Sequence, residues 1–213
     1  MTKFHEWYQQ MQVERAINAL KKNNFDARFF SKAAEAVEEI WKMIPEGATV
    51  GYGGSLTLNQ IGFIEEAQRR PIKFLNPFAK GLSAEEAEKI RREIFLADFF
   101  LTSSNAITED GKLFNIDATG NRVGAMIFGP KKVILVCGAN KIVKDVAEAQ
   151  RKVQEVTAPM NAKRLGYKTP CAQTGQCSDC ASPERICNAY VILAKKPRRT
   201  DISVFIVGEI LGL

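Results

Sequence analysis

One histidine stands in the 213 residues, at position 5. A Ser-His-Asp or Cys-His catalytic constellation cannot be assembled around a single imidazole near one terminus, so hydrolase chemistry of that type is not expected. Long hydrophobic runs are missing too. The longest, "VILVCG" and "VFIVG", are strand-length and fall far short of the roughly 20 apolar residues that cross a bilayer. The opening "MTKFHEWYQQ" has no apolar centre and does not read as a secretory signal. There is no internal repeat, no low-complexity tract and no basic stripe interleaved with aromatics, which argues against nucleic acid as a partner. These absences lead us to expect a cytoplasmic protein whose thiols stay reduced.

What is present is an ordinary globular composition, 46% hydrophobic and 25% charged, with an uneven charge distribution. The net charge is +6, yet residues 121–213 alone carry 15 Lys and Arg against 7 Asp and Glu. That excess points to anionic company for the second half, a small ligand or an acidic partner. "KKPRRTD" (195–201) reads as a connection between two strands. His5 reads as solvated, and Trp7 and Trp41, on helical faces, as core residues.

Periodicity along the chain gives a repeated alternation of strands and helices. "WYQQMQVERAINALKKN" is helical, and "DARFF" is a short strand or turn. Ser31 is a candidate cap for a helix whose Val37, Ile40, Trp41 and Ile44 share one face. "ATVGYG" reads as a strand, 57–69 as one helix, and "PIKFLNPF" as a strand. Ser83 and Glu86 form a capping box before the next helix. "DFFLTSSNAIT" is a strand running into a polar loop, and "EDGKLFNID" carries an Asp-Gly hairpin turn. After a short helix, "KKVILVCG" is a strand dense in β-branched residues, with Cys137 as a small core side chain. A long helix follows, interrupted near Pro159, and two final strands close the chain. The pattern predicts an α/β, Rossmann-like fold: a mainly parallel sheet with helices on both faces. The Asp-Gly hairpin and the last two strands are expected to add antiparallel elements. Residues 1–44 read as a helical N-terminal segment, and 45–213 as the α/β domain, with a cysteine-rich loop at 168–188.

Three constellations carry chemistry. In "GYGGSLTLNQIG", Gly51, Gly53 and Gly54 end a strand, and Ser55 or Thr57 opens a helix. Backbone N–H groups at such a turn can cradle an anion, although the spacing is neither a Walker loop nor G-x-G-x-x-G. A tight turn with a plain cap explains it equally well. In "NIDATGNRVGAM", Asp117, Thr119, Gly120, Asn121 and Arg122 crowd another helix entry, where a guanidinium suits phosphate or carboxylate; capping with an exposed arginine is the alternative. The "SSN" segment ending in Asn105 follows a strand and can reach the same cleft, and Asn140 and Lys141 stand at one more strand end. For Lys141 a solvated helix-start lysine is the plainer reading.

The third constellation is "PCAQTGQCSDCASPERICN", with Cys171, Cys177, Cys180 and Cys187 in the pattern C-x5-C-x2-C-x6-C. Soft thiolates suit iron–sulfur clusters and zinc alike. Structural zinc usually uses two short knuckles separated by a spacer, whereas here one knuckle is flanked by two outlying cysteines. A 4Fe-4S cluster is the leading reading, with zinc, or free or redox-paired thiols, as alternatives.

"VGYGGSLTLNQIG", "GNRVGAMIFGPKKVILVCGANKIVKD" and the terminal "VGEILGL" resemble the lactate-utilisation LUD-domain family. The resemblance implies a fold of the NagB/RpiA/CoA-transferase type and a place in the oxidation of L-lactate to pyruvate beside iron–sulfur partner subunits. The cysteine loop departs from the plain domain and resembles a subgroup of short bacterial and archaeal proteins with such a tail. The expectation is therefore an accessory or electron-transfer protein of lactate-type organic-acid oxidation. It would bind a small anionic ligand (carboxylate, phosphate or CoA-type), a cluster and a redox partner protein, with room for a homo-oligomer. The alternatives are a non-redox enzyme acting on a sugar phosphate or acyl-CoA with a structural zinc, and a ligand sensor without turnover.

Overall fold

The computed structural model describes residues 2–213. The strands are β1 (Asp26–Phe30), β2 (Thr49–Tyr52), β3 (Lys73–Leu75), β4 (Phe99–Thr102), β5 (Ala106–Thr108), β6 (Leu113–Asp117), β7 (Lys132–Gly138), β8 (Ile142–Val143), β9 (Ala189–Leu193) and β10 (Asp201–Val207). The helices are α1 (Lys3–Lys22), α2 (Ala33–Met43), α3 (Leu56–Gln60), α4 (Phe63–Ala67), α5 (Ala84–Glu93), α6 (Asn121–Phe128), α7 (Val146–Lys152), α8 (Ala158–Arg164) and α9 (Pro170–Thr174).

Six strands form a parallel sheet in the order β1-β10-β7-β4-β2-β3. Its central strands are apolar along most of their length, with Ser203 and Thr102 as buried polar exceptions, because both faces are covered. Along β7 the side chains alternate: Val133, Leu135 and Cys137 enter one core, while Ile134 and Val136 enter the other. The first core takes Val13, Ala16 and Leu20 of α1 with Val123 and Met126 of α6. The second takes Ile40 and Trp41 of α2 with Leu58 and Phe63. Trp41 stacks on Phe63 at 4.9 Å between ring centroids, as a core tryptophan should.

A second sheet, β8-β5-β6-β9, takes β5 and β6 from the chain between β4 and β7, and β8 and β9 from the chain after β7. The Asp-Gly hairpin joins β5 to β6, and β9 returns antiparallel to β6. Phe114, Ile116, Val143 and Val153 pack a small core beneath it.

Several local expectations change. The last two strands do not pair with each other. β9 is antiparallel in the second sheet, whereas β10 is parallel to both neighbours in the first, because its alternating apolar residues are needed on two covered faces. Residues 26–30 form an edge strand of the main sheet, so the N-terminal segment contributes to the domain core rather than standing apart. The single helix over 57–69 is two short ones, split where Gly62 turns left-handed. The irregularity in the long helix is a π-helical stretch at Val153–Thr157, upstream of Pro159, which sits in the first turn of α8. Helix α2 begins at Ala33 after Lys32, while the Ser31 hydroxyl donates to Glu35. Trp7 is 60% exposed on the projecting start of α1, not buried.

Gly111 closes the hairpin with φ +80°, and a Cβ there would lie 2.4 Å from the Ala19 carbonyl carbon and 2.5 Å from Leu20 N. The turn therefore packs directly on the helix α1 backbone. Gly111→Ala is expected to cost about 2–4 kcal/mol in urea unfolding, from left-handed strain and overpacking together.

Candidate functional site

The chain leaves β2 toward β3 at one edge, and leaves β4 through the second sheet toward β7 on the other side. The crevice beyond the carboxyl ends of β2 and β4 is thus the point where the winding reverses, where open α/β sheets place their ligands. A cavity of about 1020 Å³ opens there. Its floor is the turn after β2 (Gly53 to Thr57), the turn after β4 (Ser103 to Asn105) and Lys141 beyond β7.

Each piece is built locally. The Tyr52 hydroxyl accepts from Ser55 N at 2.8 Å and donates to Asn59 Oδ1 at 2.9 Å, while Ser55 Oγ caps α3 by accepting from Leu58 N at 3.3 Å. Gly53 is required by proximity: a Cβ there would sit 2.5 Å from Phe100 Cζ and 2.8 Å from Thr102 Oγ1. The Thr102 hydroxyl is buried without a hydrogen-bond partner, and so is that of Thr157, also in the cavity wall. Such orphaned buried donors are what a polar ligand satisfies.

Arg122 is the organiser of the site. Its Nη1 donates to Ser103 O at 2.9 Å and Asn115 Oδ1 at 2.8 Å, and its Nη2 donates to Asn105 Oδ1 at 3.2 Å and Ile116 O at 3.0 Å. Nε lies 3.5 Å from the Asp117 carboxylate, with both side chains almost buried at 12% and 10% exposure. Burial draws the Arg122 pKa down, and Asp117 opposes it. The guanidinium expected to grip an anion thus lines the cavity with its donors already directed into the protein. It locks the turn after β4 against β6. Asp117 also accepts from Val123 N at 3.1 Å, fixing the start of α6.

Lys141 is buried, not solvated. Its Nζ lies 2.9 Å from Ser103 Oγ, 3.2 Å from Ser104 O and 3.3 Å from Thr57 Oγ1. The residues singled out from the sequence largely meet here: Gly53, Gly54, Ser55, Thr57, Asn105, Asp117, Thr119, Asn121, Arg122 and Lys141 all line the cavity. Gly51, Gly120 and Asn140 do not. Gly51 lies inside β2 against Ile94, Gly120 caps α6, and Asn140 Oδ1 accepts from Leu211 N at 3.0 Å. Sequence reasoning missed Arg164 and Asn161, which reach the cavity from α8. Arg164 Nη2 donates to Asn161 Oδ1 at 2.8 Å, and the three-residue spacing on a helix was the available signal.

The cysteine loop joins this cavity. Asn188 N donates to Asp117 O and Asn188 Nδ2 to Ala118 O, both at 3.0 Å, so Ile186 and Cys187 enter the cavity wall. Arg185 folds the loop from inside: Nε donates to Cys187 O at 3.1 Å, Nη1 to Cys180 O at 2.6 Å, and Nη2 pairs with Asp179 at 2.7 Å. All four loop cysteines are free thiols, with Cys177 exposed. Burial pushes the Cys187 thiol up to about 11; Arg185 opposes this, and Cys177, Cys171 and Cys180 each add to it. Among the described residues, no three His, Cys, Asp or Glu side chains are grouped as ligands of one ion.

The LUD domain family model matches residues 13–207, which carry the main sheet, the second sheet and the cysteine loop. The chain belongs to the LUD domain family. This LUD domain also superposes on the crystal structure of a DUF162 family protein from Deinococcus radiodurans, with a TM-score of 0.52 at 17% identity over 95% of this chain and 98% of that one. A weaker likeness is to eIF2B delta from Chaetomium thermophilum, with a TM-score of 0.34 and 16% identity over 66% of this chain and 54% of that one. The first likeness is one of fold. A search of curated proteins finds no match. No helix among the described residues is long and apolar enough to cross a membrane.

Arg122→Ala is expected to lower stability by about 3–5 kcal/mol in urea unfolding, because it strands Asp117 and several buried acceptors. Arg122→Lys should recover little of this, since an ammonium cannot reproduce the fork. In the reduced, metal-free protein near pH 8, iodoacetamide should modify Cys177 well before Cys187, read by peptide mass spectrometry; raising the pH toward 11 should narrow the gap.

Proposed function

We propose that this LUD domain serves lactate-type organic-acid oxidation as an accessory or electron-transfer protein. In this reading it binds a small carboxylate in the cavity and a 4Fe-4S cluster on Cys171, Cys177, Cys180 and Cys187. The observation that carries the reading is the cysteine loop, which holds four free thiols between residues 171 and 187 and enters the cavity wall at Cys187. The family's association with lactate utilisation supplies the metabolic setting.

The donor set suits a cluster in chemistry, four soft sulfurs on one loop without a disulfide. It is not preassembled, and the loop from Gln176 to Asn188 has no regular secondary structure. Metal binding then completes the folding of the loop, as small metal sites commonly do, and releases the thiol protons. When bound, the cluster supplies single-electron transfer. The chain's own residues do the rest. Arg185 holds the carbonyls of Cys180 and Cys187, and Asn188 fixes the loop to the cavity rim. Lys80, Arg91 and Arg164 in the cavity wall, set against Glu65 and Glu88, leave a positive balance that favours an anion over a neutral ligand. The positive excess of residues 121–213 favours docking on an acidic redox partner.

Anaerobic purification followed by iron, sulfide and zinc quantification tests the reading. Broad absorbance near about 400 nm with stoichiometric iron and sulfide is the expected result. Cys177→Ala should remove the iron and leave the circular dichroism of the α/β core unchanged. A colourless protein with stoichiometric zinc, or iron retention indifferent to Cys177, would overturn the cluster assignment.

A further inference from the structure

The single histidine excludes an imidazole-based triad, but the cavity contains a different base. Lys141 Nζ lies 2.9 Å from Ser103 Oγ, and both residues line the cavity. No carboxylate neutralises this amine within ion-pair distance among the described residues; its remaining contacts are Ser104 O and Thr57 Oγ1. Burial pushes the Lys141 pKa down, with Arg122 and Lys152 acting in the same direction and Cys137 against it. Burial without a counter-carboxylate shifts such an amine toward its neutral form, the form that can accept a proton from the adjacent hydroxyl. A nucleophile within hydrogen-bond reach of its base, with the base oriented by a third group, is the arrangement that activates serine. Thr57 and Ser104 provide the orientation.

The nucleophile is itself held in place. Arg122 grips the Ser103 carbonyl, and Cys137 Sγ accepts from Ser104 N at 3.3 Å, so the turn cannot swing Ser103 out of the crevice. The Ser103 hydroxyl also lies 3.2 Å from Ser104 O and 3.5 Å from Cys137 Sγ. The Thr102 hydroxyl, beside Gly53 in the cavity wall, is buried and has no hydrogen-bond partner.

We propose that Ser103 and Lys141 form a nucleophile–base pair that transfers the acyl group of a small ester or thioester to water. Lys141 takes the Ser103 hydroxyl proton as Oγ bonds to the carbonyl carbon. The bond from that carbon to the leaving oxygen or sulfur breaks, and the Lys141 ammonium returns the proton to the departing group. Water then attacks the acyl-serine by the same route, releasing the carboxylic acid and restoring the hydroxyl. No oxidant is required, so the inference stands apart from the cluster and survives or fails without it.

The test is covalent. The purified, reduced protein is treated with a fluorophosphonate probe, and separately with p-nitrophenyl acetate quenched in acid, and the adducts are mapped by peptide mass spectrometry. Both adducts should fall on Ser103 in the wild-type chain and vanish in Ser103→Ala. Lys141→Arg places a guanidinium that cannot accept the proton; labelling should slow by about 10²–10⁴-fold. A folded wild-type protein left unmodified at Ser103, an acetyl group carried on Lys141 or Cys137 instead, or an unaltered rate in Lys141→Arg would each overturn the proposal. If Lys141→Arg does not fold, the wild-type adduct map decides alone.

Discussion

The guanidinium of Arg122 is the contact on which the site depends. It stands where three pieces of chain meet: the turn after β4, the length of β6 and the entry to α6. Four N–H groups go to two backbone carbonyls and two asparagine side chains, and a nearly buried carboxylate balances the charge. A buried charge is tolerable only with such complete pairing. The benefit is geometric: the polar turns that make the cavity floor could not otherwise keep one conformation next to two apolar cores.

That rigidity links the two sheets. The main sheet supplies the reversal of winding that opens a crevice. The second sheet supplies the wall opposite, since β6 and β9 carry the loops that close over it. The hydrogen bonds from Asn188 to the backbone of Asp117 and Ala118 make the cysteine loop an extension of this wall. A redox centre on that loop and a carboxylate in the cavity would share Cys187 as a boundary. The Ser103–Lys141 pair lies in the same cavity, beyond the ends of other strands, and the acyl transfer proposed for it would not depend on the cysteine loop.

Much of this was legible locally. Alternating strand and helix periods announce a covered parallel sheet, and β7 and β10 read as fully buried because they have no polar face. The Asp-Gly turn specifies its hairpin through the φ that only glycine takes easily. Gly53 and Gly54 after β2, and Asn121 and Arg122 at the entry to α6, fall on one crevice beyond the strand ends. The cysteine spacing marked one loop.

Other features had no local signal. Arg122 looks from sequence like an anion-binding arginine; its direction into the protein depends on carbonyls 6 to 19 residues away. The pairing of Ser103 with Lys141 joins residues 38 apart, in the turns that follow β4 and β7. Whether β10 paired with β9 or inserted between β1 and β7 was likewise settled by which surfaces remained uncovered. The amino-acid sequence by itself determined the elements, their turns and the cysteine loop, because those follow from backbone freedom and side-chain period over a few residues. Tertiary structure alone decided which polar groups meet and which amine loses contact with water, because burial and pairing are properties of segments brought together from across the chain.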